Sequence, residues 1–450
     1  MRWRNPSSAP TRSKPPGRTR QASTGFMADA AKPDEPAPPE ECGHCPHSGF
    51  RIESWRSKLG PPWDRQQCGL ASGVECLNGG MVDRSVLVSG GGIAGSTAAY
   101  WLEKAGWSVT IVERAADTRF SGNPIDVRGA AVAIARQMGI WARLEEAATG
   151  VERLVFVDAD GRPQATIRTR RRADRHEEVE VERNELVGLL FDKARETSLI
   201  IRDDSIAALH QDGGGIDVEF QRTPSRRFDL VVGADGLHST VRRLAFGPEE
   251  RFSRPFGMFV GTVRAPVPVA DPRTVLLYNE PGTSLTIHPA GGKPGFAFIF
   301  RGQHDFDYRD VEQGRSLVES TYAGGGWLTT LALEEWGASG DRYFDAVSRV
   351  DLPHWSAGRV VLLGDAASCI SLFGEGSSSA IVGAKTLADA IAAHPGDHTA
   401  AFAGYEHRHR QHVRPLLRGA GIASRLLVPK TRSGIAMRNA VLNAAVLASR

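Results

Sequence analysis

Four short stretches of the chain are apolar with almost no polar interruption: Val86–Val88, Val109–Val112, Leu230–Val232 and Val360–Leu363. Runs of this length without alternation predict strands buried on both faces. After the first, Ile93, Ala94, Ala98, Trp101, Leu102 and Ala105 recur at helix spacing until Gly106. After the third, Val241, Leu244 and Ala245 do so, and after the fourth, Ala380, Ile381, Ala384, Leu387 and Ile391. This alternation in 82–145, 225–245 and 358–393 predicts an open parallel α/β sheet. Residues 151–181 and 251–302 read differently. Leu154–Val157, Met258–Val260, Val275–Tyr278, Ser284–Ile287 and Phe296–Phe300 are short β-rich runs between Gly and Pro turns. They predict one mostly antiparallel sheet. Tyr405–Arg418 reads as a helix rich in Arg and His with a solvated face, because His407, His409 and His412 lack the spacing of a metal-binding pair.

Composition changes this picture mainly at the N-terminus. Of 450 residues, 41% are apolar and 24% charged, with a mean hydropathy of −0.27, as in ordinary globular proteins. No apolar run approaches the 18 or so residues of a membrane-spanning helix. Residues 1–80 hold 11 Lys and Arg against 8 Asp and Glu, whereas the other 370 balance at 44 of each. A neutral body predicts no nucleic-acid partner. Four of the five cysteines also fall in residues 1–80, leaving only Cys369 in the body, where a packed small apolar role is expected. That usage suits a reducing cytoplasm, the expected location.

Residues 1–40 are broken by prolines and have no apolar core of a secretory signal. Residues 1–80 therefore read as a disordered or spurious N-terminal extension, with Met81 standing directly before the first strand. A zinc knuckle on Cys42, Cys45 and His47 with Cys68 or Cys76 is the competing reading. It is disfavoured because the second half lacks a matching ligand pair. The body shows no metal constellation, so no metal is expected.

Three strand–turn signals carry the chemistry. The first is Gly90-Gly-Gly92-Ile-Ala94-Gly95, a GxGxxG sequence between two strands. Gly90 makes the turn, Gly92 lets backbone approach a pyrophosphate, and Gly95 lets helix pack on strand. Glu113 lies 18 residues past Gly95, close to the roughly 20 expected of an acid that binds a ribose. The second is Leu230-Val-Val-Gly-Ala-Asp235-Gly236, a strand entering a helix. The third is Val360-Val-Leu-Leu-Gly364-Asp365, followed by Gly374-Glu-Gly376-Ser377, a glycine-rich loop opening a helix. Ser377 or a neighbour is expected to cap that helix.

In this order and at these separations, the signals resemble the FAD-dependent aromatic hydroxylases. These are single-component flavoprotein monooxygenases similar to para-hydroxybenzoate hydroxylase and the tetracycline-inactivating monooxygenases. The match runs from Val82 to about Val446. Ile125–Gly129, Glu182–Leu186 and Leu427–Pro429 with Arg438 add weaker matches.

The resemblance implies a Rossmann-like FAD-binding domain, discontinuous in sequence, with an inserted mostly antiparallel β-sheet substrate domain and C-terminal helices. The expected divisions begin with the extension, 1–80, and the first segment of the FAD-binding domain, 81–250, with 151–181 joining the substrate sheet. The substrate sheet follows at 251–345, the second FAD-binding segment at 346–395 and the C-terminal helices at 396–450. Carried over residue by residue, Gly90, Gly92, Ala94 and Gly95 would hold the FAD pyrophosphate. Glu113 would take the adenosine ribose, Arg114 the adenine side, and Arg128 a loop near the flavin. Arg183 would meet the ribityl-phosphate region and Asp365 the ribityl chain. Asp235 and Gly236 would serve FAD and pyridine nucleotide. Gly374, Gly376 and Ser377 would set a helix N-terminus at the flavin's pyrimidine edge. Arg264 and His288, at strand ends, are candidate substrate anchors.

The implied reaction is hydroxylation of a small aromatic or polyketide-like substrate by O2 and NADPH or NADH through a flavin hydroperoxide, in a monomer or homodimer. Other FAD chemistry on the same fold (epoxidation, dehydrogenation) and a non-catalytic, ligand-sequestering role are the alternatives. The last is motivated by Leu372, where relatives carry proline, and Glu375, where many carry glutamine.

Overall fold

The computed structural model describes residues 84–116, 124–168, 177–267, 269–369 and 376–448, all within one unit, Gly79–Arg450. The candidate zinc ligands, Leu372, Gly374 and Glu375 lie outside the described residues.

The chain begins β1 (Ser85–Ser89), α1 (Ile93–Lys104), β2 (Ser108–Glu113), β3 (Ile125–Arg128), α2 (Ala130–Gln137), α3 (Trp141–Glu146), β4 (Arg153–Val157), β5 (Pro163–Arg168) and β6 (Glu178–Val181). It continues α4 (Arg183–Arg195), β7 (Leu199–Arg202), β8 (Ile206–Gln211), β9 (Ile216–Phe220), β10 (Arg226–Phe228), β11 (Leu230–Gly233) and α5 (Thr240–Phe246). Then come β12 (Ser253–Arg264), β13 (Thr274–Glu280), β14 (Thr283–His288), β15 (Gly295–Arg301), α6 (Val311–Tyr322), α7 (Thr329–Ala338) and β16 (Arg342–Val350). The last elements are β17 (Ser356–Ala357), β18 (Val360–Leu362), α8 (Gly376–Ala393), α9 (His398–Leu427) and α10 (Arg432–Ala448).

The uninterrupted apolar runs become the centre of a six-stranded sheet ordered β17-β18-β11-β1-β2-β7, parallel except at the β17 edge. Their residues are buried because α1, flanked by α4 and α8, covers one face. From β1 the chain first moves outward to β2, and it later returns to the other side of β1 as β11. The order therefore reverses between β1 and β11. Ligands of open α/β sheets bind in the crevice at the carboxyl ends of such strands.

A seven-stranded sheet, β16-β12-β15-β14-β13-β4-β5, stands apart from the first. Strand alternation gives it two unlike faces. Phe259, Val263, Leu285, Ile287, Phe296, Phe298 and Phe300 point one way and pack with Val318 and Tyr322 of α6 and Trp336 of α7. Tyr322 Oη closes this layer by donating to the carbonyls of Ser284 (2.7 Å) and Ile299 (3.0 Å).

Pairing divides the chain differently from the sequence expectation in two places. Within 151–181, β4 and β5 do join the seven-stranded sheet, but β6 pairs antiparallel with β3. The expected boundary at 345/346 falls inside β16, which pairs with β12 along its whole length. Apolar pattern cannot reveal either, because it records burial and not the partner.

The Arg- and His-rich helix is the middle of α9, and its solvated reading needs correcting at one residue. His409 is only 2% exposed, with its ring against Trp355, Tyr405 and His412. Gly383 of α8 makes this possible, because a Cβ there would lie 2.7 Å from His409 Nε2. Cys369 is buried, as expected of a packed small residue.

Candidate active site

The GxGxxG turn sits where β1 meets β11. Gly90 has φ +102°, and a Cβ on it would come within 2.5 Å of the Ala234 carbonyl oxygen that follows β11. Gly95 lies against the Gly90 carbonyl, leaving no room for any side chain. A Cβ on Gly92, by contrast, would meet nothing within 4 Å. Gly92 is the N-cap of α1, and no side chain caps the helix. Leading N–H groups with open space before them form a ready site for a phosphate. Ala94, in the first turn, packs toward Gly364.

Glu113 ends β2 facing this loop. Its Oε2 accepts from the Gly91 N–H at 2.7 Å and its Oε1 from the Ala115 N–H at 2.9 Å. The carboxylate is thereby held half-exposed at the rim, while Arg114 beside it is exposed.

Asp365 stands across the crevice, after β18. Gly364 has φ +63°, and a Cβ there would meet the Ala94 Cβ at 2.8 Å, so only glycine lets this turn sit on α1. The Asp365 carboxylate also reaches the first turn of α8, where a Cβ on Gly376 would lie 4.0 Å from its Oδ1. Burial raises the Asp365 carboxyl, while the Arg183 guanidinium and the Cys369 thiol pull it back down. Two motifs far apart in sequence thus converge: the α1 and α8 N-termini and Asp365, with Arg183 nearby at the start of α4.

Other expected site residues are otherwise engaged. Asp235 Oδ1 accepts from Ser239 Oγ (2.5 Å) and its Oδ2 from the Val241 N–H (3.0 Å), so the carboxylate caps α5. Gly236 follows with φ +82° and open space around it. Ser377 does not cap α8. It lies within the helix and donates to the Asp126 carbonyl (2.6 Å), and Ser378 accepts from the Arg128 N–H (3.0 Å). These two serines tie α8 to β3, which brings Arg128 near the α8 end.

The two expected substrate anchors each already have a carboxylate partner. Arg264 donates to both oxygens of Glu182 (3.1 and 2.7 Å), and His288 Nε2 lies 2.6 Å from Glu180. They close the seam between the seven-stranded sheet and β6–α4. Strand ends looked available in sequence, but the acids they meet are 82 and 108 residues away.

The same sheet face holds residues that the sequence reading missed. Tyr343, Thr262, Ala297 and Thr286 form one cross-strand row, and Asp345, Val260, Ile299 and Ser284 form the next. Arg264 and His288 flank Gly295 in the row beyond, so this face points into the seam. The hydroxyls of Thr262, Ser284 and Thr286 are buried without hydrogen-bond partners. Tyr343 belongs to the same electrostatic group as Asp345, Arg183, Asp365 and Cys369, and burial drives its phenol far above the ordinary value. The signal was faint: polar residues alternating with apolar ones in Gly-Thr-Val-Arg264 and Ser-Leu-Thr-Ile-His288.

At the other end of the seam, His238 Nδ1 lies 2.8 Å from Glu249 and Nε2 3.2 Å from Asp345. Its ring stacks on Tyr308 at 3.4 Å between centroids. Burial alone would lower its pKa, but the hydrogen bonds to Asp345 and Glu249 outweigh it and raise the imidazole to about 9. Among the described residues, no group of His, Cys, Asp and Glu has metal-site geometry.

The open, uncapped α1 N-terminus, the glycine that leaves room for a phosphate and the rim carboxylate fit FAD. Comparison with known proteins agrees. Residues 83–420 match the family described as FAD binding domain. A flavin-dependent monooxygenase of Legionella longbeachae is 34% identical over 326 residues, covering 71% of this chain and 83% of that protein. An uncharacterized protein of Mycobacterium tuberculosis is 37% identical over 331 residues, covering 72% of this chain and 88% of its own. Among solved structures, tetracycline destructase Tet(51) superposes with a TM-score of 0.71 at 27% identity, covering 82% of this chain and 98% of its own. With more than two-thirds of its length matched and its GxGxxG turn opening an uncapped helix, the chain belongs to the FAD-binding family that includes the flavin-dependent monooxygenases.

Proposed function

We propose that the protein is an FAD- and NAD(P)H-dependent monooxygenase that hydroxylates a small aromatic or polyketide-like substrate. The observation that carries this reading is the convergence of the α1 and α8 N-termini on Asp365, opposite a polar wall of the antiparallel sheet. Gly90, Gly92 and Gly95 would hold the pyrophosphate, Glu113 the adenosine ribose, and Asp365 with Arg183 the ribityl-phosphate region. Bound FAD would supply the redox chemistry: one atom of O2 goes into the substrate C–H bond and the other leaves as water, with NAD(P)H giving up the two electrons.

The chain's own task is to seat the substrate and keep water out. Thr262, Thr286 and Ser284 present neutral hydroxyls, while Arg264 and His288 on the same face are each paired with a carboxylate. A ring bearing hydroxyl or carbonyl groups would satisfy the orphaned hydroxyls better than a carboxylate would, since a buried anion without a free cation is costly. The apolar packing beneath this face, from Phe259 to Phe300, holds it rigid.

The test is NADPH and NADH oxidation by the FAD-loaded protein against a panel of phenols and polyketides, with mass spectrometry for a product heavier by one oxygen. FAD bound without turnover on any panel member would favour the sequestering reading. Thr262→Val with Thr286→Val is expected to raise KM about tenfold with the flavin spectrum unchanged, which corresponds to one or two hydrogen bonds of about 1 kcal/mol each. An unchanged KM would remove these hydroxyls from the substrate site.

A further inference from the structure

From His407 to Arg450 the sequence holds nine Lys and Arg and no Asp or Glu. The whole chain carries only +3, so the remainder is net negative, and seven of these nine cations lie on α9 and α10. Apolar exposure is concentrated there too. Ile422 (66% exposed), Leu426, Met437 (68%) and Val441 are four of the seven exposed large apolar side chains among the described residues. Single exposed apolar residues are ordinary, but here four fall within twenty residues of sequence on consecutive helices.

On α9 the charge and the apolar groups share a face. Arg414, Arg418, Ile422 and Leu426 follow one another at four-residue spacing along α9 and are all exposed, so they form one ridge, with Arg425 beside it. Met437 and Val441 stand one turn apart on α10. The inner sides of both helices are fixed in the protein. Arg438, 5% exposed, donates to Asn279 Oδ1 (2.6 Å) and the Leu426 carbonyl (3.0 Å). Arg301 donates to the Val428 carbonyl (2.7 Å) and the Ser424 carbonyl (2.7 Å).

We propose that this face of α9 and α10 docks on an anionic phospholipid surface, lying in the interface. Lipid phosphates answer the arginines, and the acyl boundary answers Ile422, Leu426, Met437 and Val441. Long arginine stems suit this position, keeping the guanidinium at the headgroups while the methylenes lie among apolar groups. Among the described residues no helix is long and apolar enough to cross a membrane, so the association is peripheral. A nucleic acid would satisfy the charge but leave the apolar ridge in water. The proposal does not depend on which substrate the protein oxidises.

The test is cosedimentation of the full chain, loaded with FAD, with vesicles of phosphatidylglycerol and phosphatidylcholine, or of phosphatidylcholine alone. Binding is expected only to the anionic vesicles and should weaken as salt is added. Replacing Arg414, Arg418 and Arg425 with serine should lower affinity about a hundredfold, given the usual contribution of each basic residue at an anionic surface. Ile422→Ser with Met437→Ser should lower it at least about tenfold. All five positions are exposed, so flavin absorbance and thermal midpoint should not move. Three results would overturn the proposal: no binding to anionic vesicles; binding that survives either set of variants; or a dimer, dissolved by Ile422→Ser, in a protein that ignores vesicles.

Discussion

Glu113 and Asp365 show how a single carboxylate is made ready by its neighbours. Glu113 is held by two backbone N–H groups and faces the rim of the phosphate loop. Replacing it with alanine is expected to weaken FAD about ten- to a hundredfold, as the loss of a charged hydrogen bond would, and FMN much less, because FMN has no adenosine ribose. Fluorescence titration with the two flavins measures this, and equal losses would remove Glu113 from the ribose site. Asp365 is raised by burial and has Arg183 and the α8 start beside it. Asp365→Ala should lower FAD affinity to a similar degree in a protein that still folds. The glycine turns and the placing of Glu113 and Asp365 after strands were legible in sequence, because they depend on local chain geometry. The carboxylate partners of Arg264 and His288 were not, because they come from a distant strand and helix start.

At the scale of the element, α1 is seated by two glycines with opposite surroundings. Gly95 has the Gly90 carbonyl against it, so Gly95→Ala must push α1 off β1. A cost of about 1–3 kcal/mol or more is expected, as for overpacked cores, seen in chemical denaturation of both apo and FAD-loaded protein. Gly92 looks into open space, so Gly92→Ala should leave apo stability nearly unchanged and still weaken FAD, because the added methyl occupies the room left for a phosphate. A Gly92→Ala protein that binds FAD normally would place the pyrophosphate elsewhere. The motif assigned Gly95 to packing and Gly92 to open approach, and their surroundings differ in that sense, with the Gly90 carbonyl against Gly95 and nothing within 4 Å of a Cβ on Gly92. Four strands of the six-stranded sheet, β1, β2, β11 and β18, were equally readable, since burial on both faces leaves few polar positions, whereas the edge strands β7 and β17 gave no such signal. Strand β6 was not readable, because its alternating Glu-Val-Glu-Val suits either sheet.

At the scale of the whole molecule, two histidines, one half-buried and one buried, set opposite pH limits. His238, raised to about 9 by Asp345 and Glu249, joins the α5 entry to β16 of the other sheet, with Tyr308 stacked on it and Arg242 3.4 Å from Glu249. Its folded pKa lies above the unfolded value of about 6.5, so its contribution is complete below about 6.5 and is lost as pH rises toward 9. His409 has its pKa pushed down to about 3 by burial, with His412 adding to the effect. Its contribution is complete above about 6.5 and is lost as pH falls, because the unfolded chain takes up a proton that the core refuses. Stability should therefore peak near about pH 6.5. His238→Gln should flatten the alkaline side of the profile and His409→Leu the acid side, as read from thermal midpoints between about pH 5 and 9. Slopes unchanged in both variants would mean that neither imidazole governs the profile.

What the sequence determined by itself is local in origin. Unbroken apolar runs dictated the buried parallel strands, helix-period spacing dictated α1 and α8, and glycine placement dictated the phosphate loop with its acid at the end of β2. Each depends on residues within about 25 positions of one another, where chain geometry leaves few choices. Tertiary structure alone decided which strands share a sheet. It alone paired Arg264 and His288 with carboxylates, turned the Thr262 and Thr286 hydroxyls into the seam, and buried His409 inside a helix that reads as solvated. The two pairings span 82 and 108 residues, and a one-residue change of register would reverse every side chain on a strand. Hydrophobic pattern says that a residue is buried; only the folded chain says against what.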